Sequence, residues 1–85
     1  MFYVYVIYNP TAKKIYIGQT SDIEKRLIRH NNKFGNHFTA KFEGEWILIY
    51  KESLPTRSEA IKREKQLKSS RGRAHLTKYI PGKPG

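Results

Sequence analysis

Tyr5, Tyr16, Arg26, His30 and Glu64 are the side chains of this sequence whose types and spacing could do chemistry. Arg26 and His30 stand four residues apart in a stretch with helical periodicity, so they project from one face, one turn apart. Alone, each reads as a surface charge or a helix-end dipole partner. As a pair, Arg supplies a fixed fork of donors matched to phosphate oxygens, and His accepts or relays a proton near neutral pH. Glu64 falls on the apolar stripe that Ala60, Ile61 and Leu67 mark along a second helix. A lone carboxylate there costs roughly several kcal/mol unless something compensates it. A divalent cation, a buried Arg partner, or escape of the carboxylate to the rim would each do so.

The elements that must position these groups follow from patterning. Residues 3–8 and 14–18 are two β-branched and aromatic runs separated by Asn9-Pro10-Thr11-Ala12, which reads as a hairpin. A four-residue loop over 9–12 pairs Tyr8 with Lys13 and sets Tyr5 opposite Tyr16, both on one face. Residues 21–31 read as the first helix, opened by a capping box of Ser21 and Glu24 and carrying Ile23, Leu27 and Ile28 as its apolar stripe. Residues 32–44 lack periodicity and read as a loop anchored by Phe34, Phe38 and Phe42. The continuous apolar run 46–50 predicts a strand covered on both faces, central or well packed. Leu54-Pro55 ends it, and Thr56 with Glu59 opens a helix to about residue 69. Gly72 breaks the pattern, residues 73–80 form a short helix or irregular segment, and the last five residues read as a frayed tail.

With 85 residues the chain is expected to be one domain. It has no cysteine, hence neither disulfide framework nor thiolate zinc site, and its apolar runs are too short to span a bilayer. The expected setting is cytoplasmic or nucleoid-associated. Charge is the dominant compositional signal: 17 Lys and Arg against 7 Asp and Glu give a net +10. Such a field gathers polyanions and points to nucleic acid, with Arg57, Lys62, Lys65, Lys68, Arg71 and Arg73 as the expected contact set.

Val4-Tyr5, ten intervening residues and Tyr16-Ile17-Gly18 resemble the paired signature of the GIY-YIG nucleases, metal-dependent phosphodiesterases acting on DNA. Tyr3 and Val4 stand where that signature has Gly and Ile; its second half is intact. The segment 60–68 resembles the Glu-bearing helix of the small single-domain members, so the likeness covers about residues 2–73. It implies an α+β fold, a small three-stranded mainly antiparallel sheet flanked by helices. It also implies a site in which Tyr5, Tyr16, Arg26, His30 and Glu64 converge. Glu64 would hold Mg²⁺ or Mn²⁺, Tyr16 assisted by His30 would serve as base, and Tyr5 would orient the water or a phosphate oxygen. A phenol acts as a base only when positive charge stabilises its anion, which Arg26, the basic field or the metal would provide. Two positions depart from many members: no Asn follows Asn36, and Gln19 stands where some carry Lys.

The expected partner is DNA, branched or damaged forms included, with a protein partner as a source of specificity. A non-catalytic basic nucleic-acid-binding module on the same fold is the alternative. An RNA-recognition sheet fits less well, because residues 33–38 do not supply its longer aromatic motif and the element order is wrong.

Overall fold

The computed structural model describes residues 1–32 and 38–81. Two strands, β1 (Phe2–Asn9) and β2 (Lys14–Thr20), form the hairpin, followed by helix α1 (Ile23–Asn31) and a 3-10 turn at Phe38–Lys41. Strand β3 (Ile47–Leu54), helices α2 (Arg57–Lys68) and α3 (Ser70–Leu76) and a last 3-10 turn complete the chain. The sheet is antiparallel throughout, in the order β2-β1-β3. This is the expected α+β architecture.

Alternation along the strands divides the interior in two. Val4, Val6 and Ile17 face Ala60, Leu67 and Leu76 of the α2–α3 pair. Tyr5 and Ile7 face the other way, where Trp46 and the half-buried Tyr16, Ile23, Leu27 and Phe42 close over them. Consequently α2 and α3 cover one face, and α1 with the segment leading to Trp46 covers the other.

The hairpin register differs from the expected one by two residues. Asn9 pairs with Lys14, the loop is 10–13, and Tyr5 lies opposite Gly18 while Ile7 lies opposite Tyr16. The cause is Asn9. Its side-chain oxygen accepts from the backbone N–H groups of Thr11 and Ala12 at 3.0 and 3.1 Å, and its amide donates to the Glu43 carbonyl at 2.8 Å. That anchoring draws Asn9 into the strand as a fully buried residue and moves the left-handed position to Lys13, φ 56°. A shift of two preserves side-chain parity, so Tyr5 and Tyr16 still share a face as diagonal neighbours.

Three further expectations are corrected. The strand containing residues 47–50 is an edge strand, and β1 is central. Its unbroken apolar run reflects a bulge between the pairs Val6–Tyr50 and Ile7–Leu48, which lets the adjacent Ile49 and Tyr50 both pack on the α2–α3 core. The cap of α1 is Asp22, accepting from Lys25 N–H at 3.1 Å, while the Thr20 hydroxyl accepts from the Asp22 N–H. Gly72 does not break a helix; it lies inside α3. A Cβ there would come within 2.5 Å of the Leu67 backbone, so only Gly lets α3 fold back this tightly on α2. The Thr56 cap of α2 stands as expected, accepting from Glu59 N–H at 3.2 Å. Of the three anchoring phenylalanines, Phe42 packs edge-on against Trp46, Phe34 lies outside the described residues, and the Phe38 side chain is likewise outside them.

Candidate active site

The site grows from the Tyr5 face of the hairpin. Tyr5 is 2 % exposed, and its ring lies over Gly18, where a Cβ would come within 2.7 Å of the phenol oxygen. The intact Gly of the second signature half therefore makes room for the tyrosine of the first. From α1, His30 points inward, 5 % exposed, with Nε2 2.9 Å from the Tyr5 hydroxyl and Nδ1 2.7 Å from the Thr39 hydroxyl. Trp46 Nε1 donates to the Thr39 carbonyl at 3.2 Å. Asn31, one residue on, clamps the Trp46 backbone by accepting from its N–H at 2.6 Å and donating to its carbonyl at 3.1 Å. These bonds lock the C-terminal end of α1 to the segment that precedes β3.

Tyr16 completes an aromatic cluster, its ring centroid 6.2 Å from that of Tyr5 and 5.0 Å from that of His30. It is half-buried, whereas Tyr5 is enclosed. Burial pushes the Tyr5 phenol well above the usual phenol range; the Tyr16 phenol adds to the rise, the Arg26 charge opposes it, and the Glu64 charge adds to it. Arg26 and Glu64, though on helices covering opposite faces of the sheet, thus both act on the same hydroxyl.

Glu64 departs from the expected buried stripe. Ile61 is 39 % exposed, so the inward face of α2 is carried by Ala60 and Leu67, and Glu64 sits at its margin. Its Oε2 accepts from Lys68 Nζ at 2.7 Å, one helical turn away, with the Glu64 side chain 21 % and the Lys68 side chain 47 % exposed. The compensation is a rim lysine and not a buried Arg. Lys68 in turn lines a cavity of about 240 Å³ with Ile15, Tyr16, Ile17 and Arg73.

The other expected nucleic-acid contacts scatter. Lys62 and Lys65 are exposed on α2, and the Arg57 guanidinium sits 5.2 Å from the centroid of the Phe2 ring at the start of β1. Arg71 is exposed on α3 away from the Tyr16 cavity, and Arg73 Nε donates to the Lys68 carbonyl at 3.2 Å. Sequence reasoning missed Thr39, Lys68 as the partner of Glu64, and Asn9 as the loop anchor. Thr39 had no local signal, because its partner is nine residues away in an aperiodic segment.

Among the described residues no three His, Asp or Glu side chains gather as a metal cage. Glu64 alone offers a carboxylate, a donor set that suits a hard cation retaining most of its waters and sharing substrate phosphate oxygens.

Comparison with known proteins gives the family and the fold. The sequence pattern of the GIY-YIG catalytic domain matches residues 1–79. A UPF0213 protein of Staphylococcus saprophyticus is 40 % identical over 67 residues, 79 % of either chain, and one of Staphylococcus haemolyticus is 33 % identical over the same length. The solution structure of a UPF0213 protein from Bacillus halodurans superimposes with a TM-score of 0.53 at 27 % identity, covering 96 % of this chain and 88 % of that one. No helix among the described residues is long and apolar enough to cross a membrane. The chain belongs to the GIY-YIG catalytic-domain family, a nuclease family, among its UPF0213 members.

Proposed function

We propose that the protein is a divalent-metal-dependent DNA endonuclease that hydrolyses phosphodiesters by in-line attack of water, leaving a 3′ hydroxyl and a 5′ phosphate. The observation that carries this reading is the enclosed Tyr5–His30–Thr39 chain of hydrogen bonds beside the more open Tyr16.

The residues divide their tasks by exposure. Tyr5 is kept protonated by its burial and bonded to His30, so it positions the imidazole and takes no proton itself. A neutral imidazole donates from one nitrogen and accepts at the other, so the hydroxyls of Tyr5 and Thr39 reverse their roles together as the tautomer changes. Tyr16, half-buried, is the base for the attacking water, and Lys68 and Arg73 border the cavity beside it. Arg26 offers its fork to a phosphate oxygen. Glu64 would hold Mg²⁺ or Mn²⁺ once Lys68 turns to the phosphate. A cation held there would supply Lewis-acid stabilisation of the charge that develops on the phosphate and its leaving oxygen.

Incubation of plasmid and branched DNA with Mg²⁺, Mn²⁺ or EDTA tests the reading. Cleavage that requires the cation and disappears in Tyr16→Phe is expected. Binding without cleavage under all three conditions assigns the protein to the second reading, a non-catalytic nucleic-acid module. That reading is favoured by one feature, the lysine already seated on the Glu64 carboxylate.

A further inference from the structure

The flank of the α2–α3 pair facing away from Tyr16 carries a second basic cavity, of about 620 Å³, lined by Arg63, Gln66, Arg71, Gly72 and His75 among others. Its volume is in the range that accepts a nucleotide-sized ligand. Arg63 is held in place there: its Nε donates to Glu52 at 3.1 Å and its Nη1 to Gln66 at 3.1 Å. Two of the five guanidinium donors are spent on that bracing. Tyr50 donates to the same Glu52 oxygen at 2.7 Å, and its ring lies 5.2 Å from that of Tyr79. Tyr79 in turn meets His75 edge-on at 5.8 Å, and Lys78 Nζ lies 5.3 Å from the centre of the Tyr79 ring. Arg63 and His75 therefore belong to both the cavity and a surface file of aromatic rings. Tyr79 stays 38 % exposed despite these neighbours.

The exposed Tyr79 and His75 rings, with Lys78 against the first and the braced Arg63 nearby, lie beside a basic cavity and match one ligand chemistry. Successive bases stack on the rings, and the backbone phosphates meet the guanidiniums. A duplex presents its phosphates but keeps its base faces stacked inside, so it can use the cations and not the rings. Glu52, the one carboxylate in this group, is occupied by Tyr50 and Arg63.

We propose that the Tyr50–His75–Tyr79 surface, with Arg63, Arg71 and Lys78, is a binding site for an unpaired stretch of DNA strand, on the opposite flank of α2–α3 from the cavity at Tyr16. The site rests on the nuclease reading and adds the strand form held on the flank away from the catalytic face, yet its test needs no cleavage.

The test is fluorescence anisotropy in EDTA with labelled twelve-nucleotide oligothymidylate, its oligouridylate counterpart and a twelve-base-pair duplex. Tyr79→Ala is expected to weaken oligothymidylate binding about tenfold, the loss typical of one stacked base, and to change duplex binding less than about twofold. Tyr79→Phe, which keeps the ring, is expected to bind like the wild type. Arg71→Glu, an exposed change that leaves the core untouched, must also weaken single-strand binding more than duplex binding. Equal losses for both ligands, or none for either variant, overturn the site. Tyr79-dependent preference for oligouridylate overturns its assignment to DNA. Because cleavage is scored separately on plasmid, a protein that cuts without this selectivity rejects the site alone, and one that shows the selectivity without cutting rejects the nuclease reading alone.

Discussion

Gly18→Ala is the smallest change that tests how the site is built. The new methyl carbon would stand 2.7 Å from the Tyr5 hydroxyl, 2.9 Å from its Cζ and 3.0 Å from a Tyr16 ring carbon, all inside contact distance. A tyrosine ring end could ordinarily swing aside, but this one is 2 % exposed and its oxygen is held 2.9 Å from His30 Nε2. Relief therefore requires the ring to shift, with loss of the bond to His30. Overpacking and one lost buried hydrogen bond together amount to about 2 kcal/mol. For a domain of this size that corresponds to a fall in Tm of about 8–16 °C, measurable by circular dichroism. Adding Tyr5→Phe removes the 2.7 Å contact and leaves the 2.9 Å one, so the double variant should recover part of the loss, giving a coupling of at least about 0.5 kcal/mol. A Gly18→Ala protein that melts within about 2 °C of the wild type would show that the Tyr5 ring is free to move, and the locked arrangement would be wrong.

Glu64→Gln removes an i,i+4 ion pair with a half-exposed lysine, worth roughly 0.3–0.5 kcal/mol, so stability should hardly change while metal-dependent cleavage is lost and DNA binding survives; a destabilised variant that still cuts rejects Glu64 as the metal ligand. Alkaline titration tests the burial of Tyr5: its folded-state pKa is raised, so its contribution is complete below about pH 10 and is lost above it as the unfolded chain ionises first. Tyr5→Phe should make the fall in stability with rising pH shallower, and an unchanged slope counts against the enclosure. Asn9→Ala removes the anchor of the hairpin loop and should cost on the order of 2 kcal/mol in urea denaturation, whereas a loss under about 0.5 kcal/mol would mean that the register is set elsewhere. DNA affinity should fall steeply between about 50 and 200 mM salt through counterion release, and a nearly flat dependence would contradict a phosphate-dominated interface.

What the sequence made legible was periodicity and parity. The even loop length placed Tyr5 and Tyr16 on one face even though the register was off by two, because only a slip by an odd number exchanges faces. The α2 boundaries followed from the Thr56 cap, whose partner is three residues away. Features set by distant contacts were not legible. Asn9 reads as a turn former until the Glu43 carbonyl is brought to it, 34 residues later in the chain. Residues 46–50 read as doubly covered because a bulge, invisible in composition, turns Ile49 and Tyr50 to the same side. Glu64 reads as buried when Ile61 is counted on the inner face, yet Ile61 is 39 % exposed and Ala60 and Leu67 alone carry that face. Gly72 read as a helix breaker because its true constraint is the backbone of another helix.

The same contrast runs through the site itself. Its inner half joins four separate segments: Tyr5 from the central strand, His30 from α1, Thr39 from the 3-10 turn and Trp46 ahead of β3. Among the described residues no buried side-chain nitrogen or oxygen lacks a partner, so this polar chain carries no unsatisfied group. With both ring nitrogens engaged, His30 cannot rotate without leaving two buried hydroxyls unpaired, a cost of about 1–3 kcal/mol for each. The outer half is built differently: Tyr16, Arg26 and Glu64 are half-buried and Lys68 is exposed, and the Glu64–Lys68 pair is weak enough to exchange partners. On the proposed function an incoming phosphate would compete for the Lys68 ammonium and free the Glu64 carboxylate in the same event. On a chain of net charge +10, that order matters: a cation is repelled from the surface until polyanion neutralises it. On the proposed function cation and strand would thus be recruited together to the outer half, while the inner half holds the imidazole in place.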